Sequence, residues 1–347
     1  MNLPLRALLS QNTEEKQAVI KFARPLPLPK GLVLLNRNSE GISSYAFRLP
    51  IADETRTGKD GSPKTKKLGS GAISKVYEGF FVESEGTFYK TSRVAIAKLP
   101  IKKWTPIPFD LLKEVPPSPY LLARPMHTYF PKDSLINPNI YIVMPLIKEK
   151  KTTRELWNEA KTALEGFELL LESTKNTAKA GAILAHHDLV HGDITLSNMA
   201  LGGLFDWGTL RKKGESRIGG APLAFSAPEL VYYRAQHEPT KRRPDLIHRV
   251  ETFEKWYGKD ATDQIKKETP PLKYDSEGAL LFSYTTAIDV FLLGMQWVSC
   301  YGHPSTWLIE DERKAAVSAF ILNMIHWNPE ARPSMGEAAL FFEKILS

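Results

Sequence analysis

An α+β fold is predicted, with strands gathered before residue 147 and helices dominating after residue 152. Strand-like runs flank Gly69-Ser70-Gly71 in KLGSGAISKVYEGFF (67–81), and VAIAK (94–98) alternates as a strand does. NIYIVMPLI (139–147) reads as a buried strand running into a connector. Residues 152–187 are helical in pattern, and 167–184 repeat apolar residues at three and four, the mark of a long buried helix.

The chain has 347 residues, enough for a large core in one two-lobed domain or two small ones. No apolar run is long enough to span a bilayer, and residues 1–12 lack the basic start and apolar stretch of a secretory signal. Cys300 is the single cysteine, so an intrachain disulfide or a cysteine-rich zinc site is excluded, which fits a reducing cytosol. The net charge of +7 is modest and reads as scattered surface lysine, not as a nucleic-acid-binding face.

Residues 1–65 read as an N-terminal extension. In it RPLPLP (24–29) is extended chain, 31–35 and 44–49 are short strands, and TRTGKDGSPKTKK (55–67) is a polar loop. The domain behind divides into 66–147 and 148–347. FDLLKEV (109–115) is a short helix stopped by Pro116 and Pro117. His186 and His187 end the long helix as polar terminal groups. RKKGESR (211–217) is basic and loop-like. An insertion occupies 231–279, with a helical look at 247–256. Its ten Lys/Arg stand against nine Asp/Glu, so it is not a basic domain as a whole. Lys241, Arg242 and Arg243 form either a solvated turn or a contact for a phosphate-rich regulator or acidic partner.

The most informative stretch is LVHGDITLSNMALGGLFDWGTL (189–210). His191, Asp193, Asn198 and Asp206 fall within sixteen residues, with Asp193 and Asn198 five apart. Phosphoryl transfer from ATP calls for such a set: one carboxylate beside the attacking hydroxyl, and an amide oxygen and a second carboxylate on magnesium. The His-Gly-Asp loop ending in Asn198, and the Asp206-Trp207-Gly208 triplet, resemble the catalytic loop and metal triplet of the protein-kinase-like superfamily. The resemblance covers roughly 66–347 apart from the insertion. It includes Gly69-Ser70-Gly71, Lys98 at the end of VAIAK, Ala227-Pro228-Glu229, and Arg332 in WNPEARPSM.

That resemblance implies a bilobal protein-kinase-like fold, with a small five-stranded antiparallel N-lobe carrying one helix and a larger, mainly helical C-lobe. It implies Asp193 as catalytic base and Asn198 and Asp206 as ligands of Mg2+, or of Mn2+, with Lys98 on the α- and β-phosphates of ATP. Gly69, Ser70, Gly71, Ala72 and Ser74 would cover the phosphates, Ser74 standing in the third glycine position. Val76 and Ala97 would line the nucleotide site, and Met144 and Leu146 would border the adenine. Lys98 would pair with Glu114 or with Asp110. Asp289 would anchor the catalytic-loop backbone, Glu229 would pair with Arg332, and His191 would be a packing residue.

The departures bear on substrate. Gly192 stands where the family has arginine, Thr195 where it has lysine, and Ala221 where it has threonine. His-Gly-Asp with Asp-Trp-Gly points toward aminoglycoside and choline-type kinases, whereas Ala-Pro-Glu and WNPEARPSM point toward protein kinases. The expected function is an ATP- and Mg2+-dependent protein kinase of the serine/threonine type, with a protein substrate and a cytoplasmic location. Action as a secreted effector in a host cytosol stays open. The alternatives are a small-molecule kinase and a catalytically silent scaffold. With no arginine before Asp193, activity is not expected to depend on phosphorylation of 211–220.

Overall fold

The computed structural model describes residues 19–21, 32–37, 43–48, 52–57, 63–65, 67–70, 75–85, 88–100, 107–129, 139–147, 151–218, 225–237, 244–308 and 311–347. The protein is mixed α and β, in two compact units: Met1–Trp104 with Ala123–Ile147, and Thr105–Leu122 with Lys148–Ser347.

The first unit is a sheet. Its strands are β1 (Val19–Lys21), β2 (Leu32–Arg37), β3 (Ser43–Arg48), β4 (Ala52–Thr57), β5 (Pro63–Thr65), β6 (Lys67–Ser70), β7 (Lys75–Glu85), β8 (Phe88–Pro100), β9 (His127–Tyr129) and β10 (Asn139–Pro145). The main sheet runs β2-β3-β7-β8-β10-β9, with β1 on β8 and β6 on β7. Every pairing in it is antiparallel. Its spine is the β7–β8 pair, in register from Lys75 opposite Lys98 to Glu85 opposite Phe88. Val94, Ala95, Ile96 and Ala97 are all buried, as a strand covered on both faces requires.

Two expectations are corrected here. The sheet has eight strands instead of five, because β1, β2 and β3 come from the N-terminal extension and pair into it. Residues 55–67 were expected as a loop, yet β4 and β5 pair with each other. The β-branched Thr55, Thr57 and Thr65 favour that outcome.

The second unit is mainly helical: α1 (Ile107–Lys113), α2 (Thr153–Glu159), α3 (Ala163–His186), α4 (Pro228–His237), α5 (Pro244–Glu268), α6 (Ala287–Tyr301), α7 (Glu312–Met324) and α8 (Met335–Leu346). Short strands join them: β11 (Leu189–Val190), β12 (Met199–Ala200), β13 (Gly203–Leu204), β14 (Arg211–Lys212), β15 (Gly214–Arg217), β16 (Lys273–Tyr274) and β17 (Leu280–Tyr284). Helix starts are encoded locally. Thr152 with Glu155, and Ser334 with Glu337, form reciprocal capping boxes, and Thr162 and Asp311 cap α3 and α7. Among the described residues no helix is long and apolar enough to cross a membrane.

The core of this unit is built around α6, buried continuously from Ile288 to Trp297. Trp297 stacks on Phe342 of α8 and meets Phe167 of α3 edge-on, while its indole N–H donates to Thr174. Arg332 spends its guanidinium bidentately on Glu229, at 2.7 and 2.8 Å, with further bonds to the carbonyls of His326, Ala287 and Trp327. Residues 244–279, read from the sequence as part of an insertion, contribute to this core. Phe253 of α5 is fully buried, stacks on Tyr232 of α4 and meets Phe291 of α6. Residues 211–217, expected as a loop, form β14 and β15 because β17 offers β15 an antiparallel partner.

Residues 105–122 group with the helical unit, not with the sheet. Leu111, Leu112, Val115 and Leu121 are buried in its core, and the backbone of Tyr120 and Leu122 bonds to Leu204. At that junction a Cβ on Gly203 (φ 145°) would stand 2.1 Å from the Tyr120 carbonyl oxygen. Gly203→Ala is therefore expected to lower the unfolding free energy by about 2 kcal/mol or more in urea denaturation. A loss below about 0.5 kcal/mol would contradict this backbone approach.

Candidate active site

The site in the helical unit grows out of the end of α3. His186 closes the helix, His187 caps it, and the chain turns through Asp188 (φ 52°) into β11, which pairs with β14. The loop from His191 to Asn198 has no regular secondary structure, so side chains must satisfy its backbone. The Asp289 carboxylate accepts from the N–H groups of His191 (2.7 Å) and Gly192 (2.8 Å). Gln296 accepts from Leu196 N–H (3.0 Å) and donates to the Ile194 carbonyl (3.0 Å). Asp289 and Gln296 lie seven apart on α6, hence on one helical face, and are 2% and 1% exposed. The Thr209 hydroxyl donates to the His191 carbonyl.

This scaffold positions three polar side chains. Asn198 donates its amide to the Asp193 carbonyl (2.9 Å) and to the Asp193 carboxylate (3.0 Å), so the spacing of five closes a small ring. The β12–β13 hairpin returns the chain, and Phe205 N–H donates to the Asn198 carbonyl. Asp206 follows at once, in left-handed backbone conformation (φ 65°, ψ 76°). A non-glycine residue held there is a strained feature of the kind that collects at functional sites. Trp207 behind it is buried, and its indole N–H donates to the Leu122 carbonyl.

Burial sets the electrostatics. It lifts the Asp193 carboxyl to about 7, aided by the charge of Asp206 and opposed by the Asn198 bond and the charge of Arg211. Asp193 Oδ1 is buried, with no hydrogen-bond partner among the described residues. Solvent reaches Asp206, but the surrounding protein crowds it and raises its carboxyl, against a backbone bond from Gly208. Asp289 is lifted to about 6 by burial, against its two backbone bonds. Burial drives His191 down to about 4, so it is neutral near pH 7. Its Nδ1 lies 3.3 Å from the Asp193 nitrogen and its Nε2 3.2 Å from the Phe205 carbonyl, which selects the tautomer protonated at Nε2. His191 therefore fastens the loop.

The donor set suits a hard divalent cation. The amide nitrogen of Asn198 is spent on Asp193, which leaves its oxygen for a ligand, and the Asp206 carboxyl is disfavoured as an isolated charge. Among the described residues no group of three His, Cys, Asp or Glu side chains is arranged to hold a metal. One amide and one carboxylate would need phosphate oxygens and water to complete a magnesium octahedron.

The sheet unit carries other candidates. Val76 lies opposite Ala97, and Lys98 lies opposite Lys75 on one side and Tyr141 on the other. Ala97 is buried, whereas Val76 and Lys98 are half-buried. Met144, half-buried, is opposite Ala95, and Leu146 follows the end of β10. Gly69 and Ser70 end β6. Gly71, Ala72, Ser74, Ala221, Lys241, Arg242 and Arg243 lie outside the described residues. Glu114 is exposed in the turn after α1, in the helical unit, and Asp110 on α1 pairs with Lys113.

Sequence reasoning missed Gln296 and Arg211. The signal for Gln296 is the one that flags Asp289, a polar residue inside FLLGMQW-like apolar surroundings. No known protein-family model matches the chain, and no curated protein matches it significantly.

Gln296→Leu strands a buried N–H and a buried carbonyl, and is expected to cost about 1–3 kcal/mol each in denaturant unfolding. A neutral result would show that the loop does not lean on Gln296. The raised Asp193 carboxyl gives a pH signature. Between 3.8 and about 7 the folded chain keeps a proton that the unfolded chain has released, so this group's contribution to stability falls as pH rises through that window. Without metal, the melting temperature of Asp193→Asn relative to wild type is expected to rise between about pH 5 and about pH 8. A pH-independent difference in thermal melts would contradict it.

Proposed function

We propose that the chain is an ATP- and Mg2+-dependent phosphotransferase of bilobal protein-kinase-like architecture that moves the γ-phosphate to a protein hydroxyl. The observation that carries this reading is the Asp193–Asn198 pair, with Asp206 directly after the returning hairpin, on a loop pinned by Asp289 and Gln296. Asp193 orients the attacking hydroxyl and takes its proton at the carboxylate. Asn198 holds Asp193 through its nitrogen and offers its oxygen to the metal, together with Asp206. Magnesium, when bound, neutralises charge on the transferring phosphate. Lys98 contributes a cation from β8 to the α- and β-phosphates.

The Glu229–Arg332 pair favours a protein substrate. It fixes the start of α4, directly after the segment that follows the metal triplet, and so supports a platform for extended peptide. Gly192 and the tight hairpin between Asn198 and Asp206 favour the second reading, a small-molecule kinase.

Transfer of labelled γ-phosphate from Mg·ATP in a cytosolic extract tests both. Label on protein, reduced about 100-fold or more in Asp193→Asn and in Lys98→Met, is expected. Label confined to small molecules would favour the second reading. Wild-type transfer equal to that of Asp193→Asn would contradict catalysis.

A further inference from the structure

Arg211 opens β14, opposite Val190 of β11 and just past the Asp206 triplet. It is 8% exposed, yet among the described residues no carboxylate forms an ion pair with it. Its Nε donates to the Thr209 carbonyl (2.9 Å), and one Nη donates to the Arg217 carbonyl (3.1 Å). The guanidinium lies 4.1 Å from the Tyr284 ring centre, within cation–π range. These partners bracket the segment: Thr209 precedes it, Arg217 ends β15, and Tyr284 of β17 is in register with Gly214 at the start of β15.

The remaining neighbour is Gly192, immediately before Asp193. A Cβ built on Gly192 would stand 3.5 Å from Arg211 Nε and 3.6 Å from Nη2. Any longer side chain at 192 would compete for the ground the guanidinium occupies, and the positive φ of Gly192 (76°) disfavours one in any case. The cation beside the loop therefore comes from the next strand. A buried guanidinium whose partners among the described residues are carbonyls and a ring leaves its charge to act on what surrounds it. Asp193, Asp289 and His191 all feel that charge, each beneath the larger effect of burial.

Resting on the phosphotransfer reading of 191–206, we propose that Arg211 is a built-in positioning residue. Through the space left by Gly192 it locks 209–217 against the loop carrying Asp193, so the site is assembled without phosphorylation of that segment. The β15–β17 ladder, the bond from Ile218 N–H to the Leu280 carbonyl, and the pairing of Arg217 with Asp275 and Glu277 hold the far end of the same segment.

The test uses the full chain with Arg211→Met, Arg211→Lys and Arg211→Ala, read by amide exchange and by γ-phosphate transfer. In Arg211→Met, exchange at 209–218 and 191–198 is expected to quicken about tenfold or more while α6 keeps its protection. Turnover is expected to fall with KM for ATP unchanged, Arg211→Lys is expected to recover part of it, and added methylguanidinium is expected to restore Arg211→Ala. Phosphatase-treated wild type is expected to keep full activity. Wild-type exchange and turnover in Arg211→Met would overturn the proposal, as would loss of activity on phosphatase treatment. If all variants fail to fold, the phosphatase result alone decides. Quickened exchange in Arg211→Met, with a wild-type chain that transfers no phosphate, would support the lock while removing the enzymatic reading.

Discussion

Asp289 sits inside the most continuously buried helix of the chain, where an unpaired carboxylate would be expensive, and its two oxygens take the N–H groups of His191 and Gly192. That exchange holds the rest of the site in place. An irregular loop at the centre of a helical unit has no ladder to satisfy its backbone, so α6 supplies side chains that do. Gln296 repeats the device two turns along, on Ile194 and Leu196. With both ends of the loop fixed, Asn198 reaches back to Asp193, and the hairpin delivers Asp206 beside them.

The segment after Asp206 is treated in a similar way. Its backbone enters a three-stranded sheet with β17 and β16, so residues 273–284 are part of what orders this segment. Trp207 and Leu204 fasten the triplet to the 120–122 stretch, and Gly203 is needed because the Tyr120 carbonyl comes too close for a side chain. Buried guanidinium groups also act beyond the loop. Arg332 meets Glu229 with full hydrogen-bond satisfaction, and Arg211 lies among carbonyls and a tyrosine ring.

What was legible in the sequence followed the range of the interactions involved. The Asp193–Asn198 contact and the hairpin to Asp206 are local, so the motif that carries the family resemblance is readable over one short stretch. The capping boxes at Thr152 and Ser334 are equally local, but they were not read in advance. Asp289 could be read as structural because its apolar setting leaves a carboxylate no other inexpensive role, whereas the Glu229–Arg332 couple was expected only from the family resemblance. Strand pairing is non-local, and there the reading failed. Nothing in 31–48 reveals that β3 will lie against β7, or that 211–217 will meet β17 some seventy residues later. The short helix at 107–113 looked like part of the sheet unit because it lies between strands in sequence, but Leu111, Leu112 and Val115 bury themselves in the helical core. Arg211 was hidden in a basic triplet, where Lys212 and Lys213 are exposed and only the arginine turns inward.

The proposed phosphotransfer requires Asn198 and Asp206 to form a cation site completed by nucleotide phosphates. Manganese binding followed by electron paramagnetic resonance, with and without ATP, addresses it directly. The account predicts Mn2+ held tightly only when ATP is present, and released when either Asn198 or Asp206 is replaced by alanine in a chain that remains folded. Binding that ignores nucleotide, or survives Asp206→Ala unchanged, would contradict it.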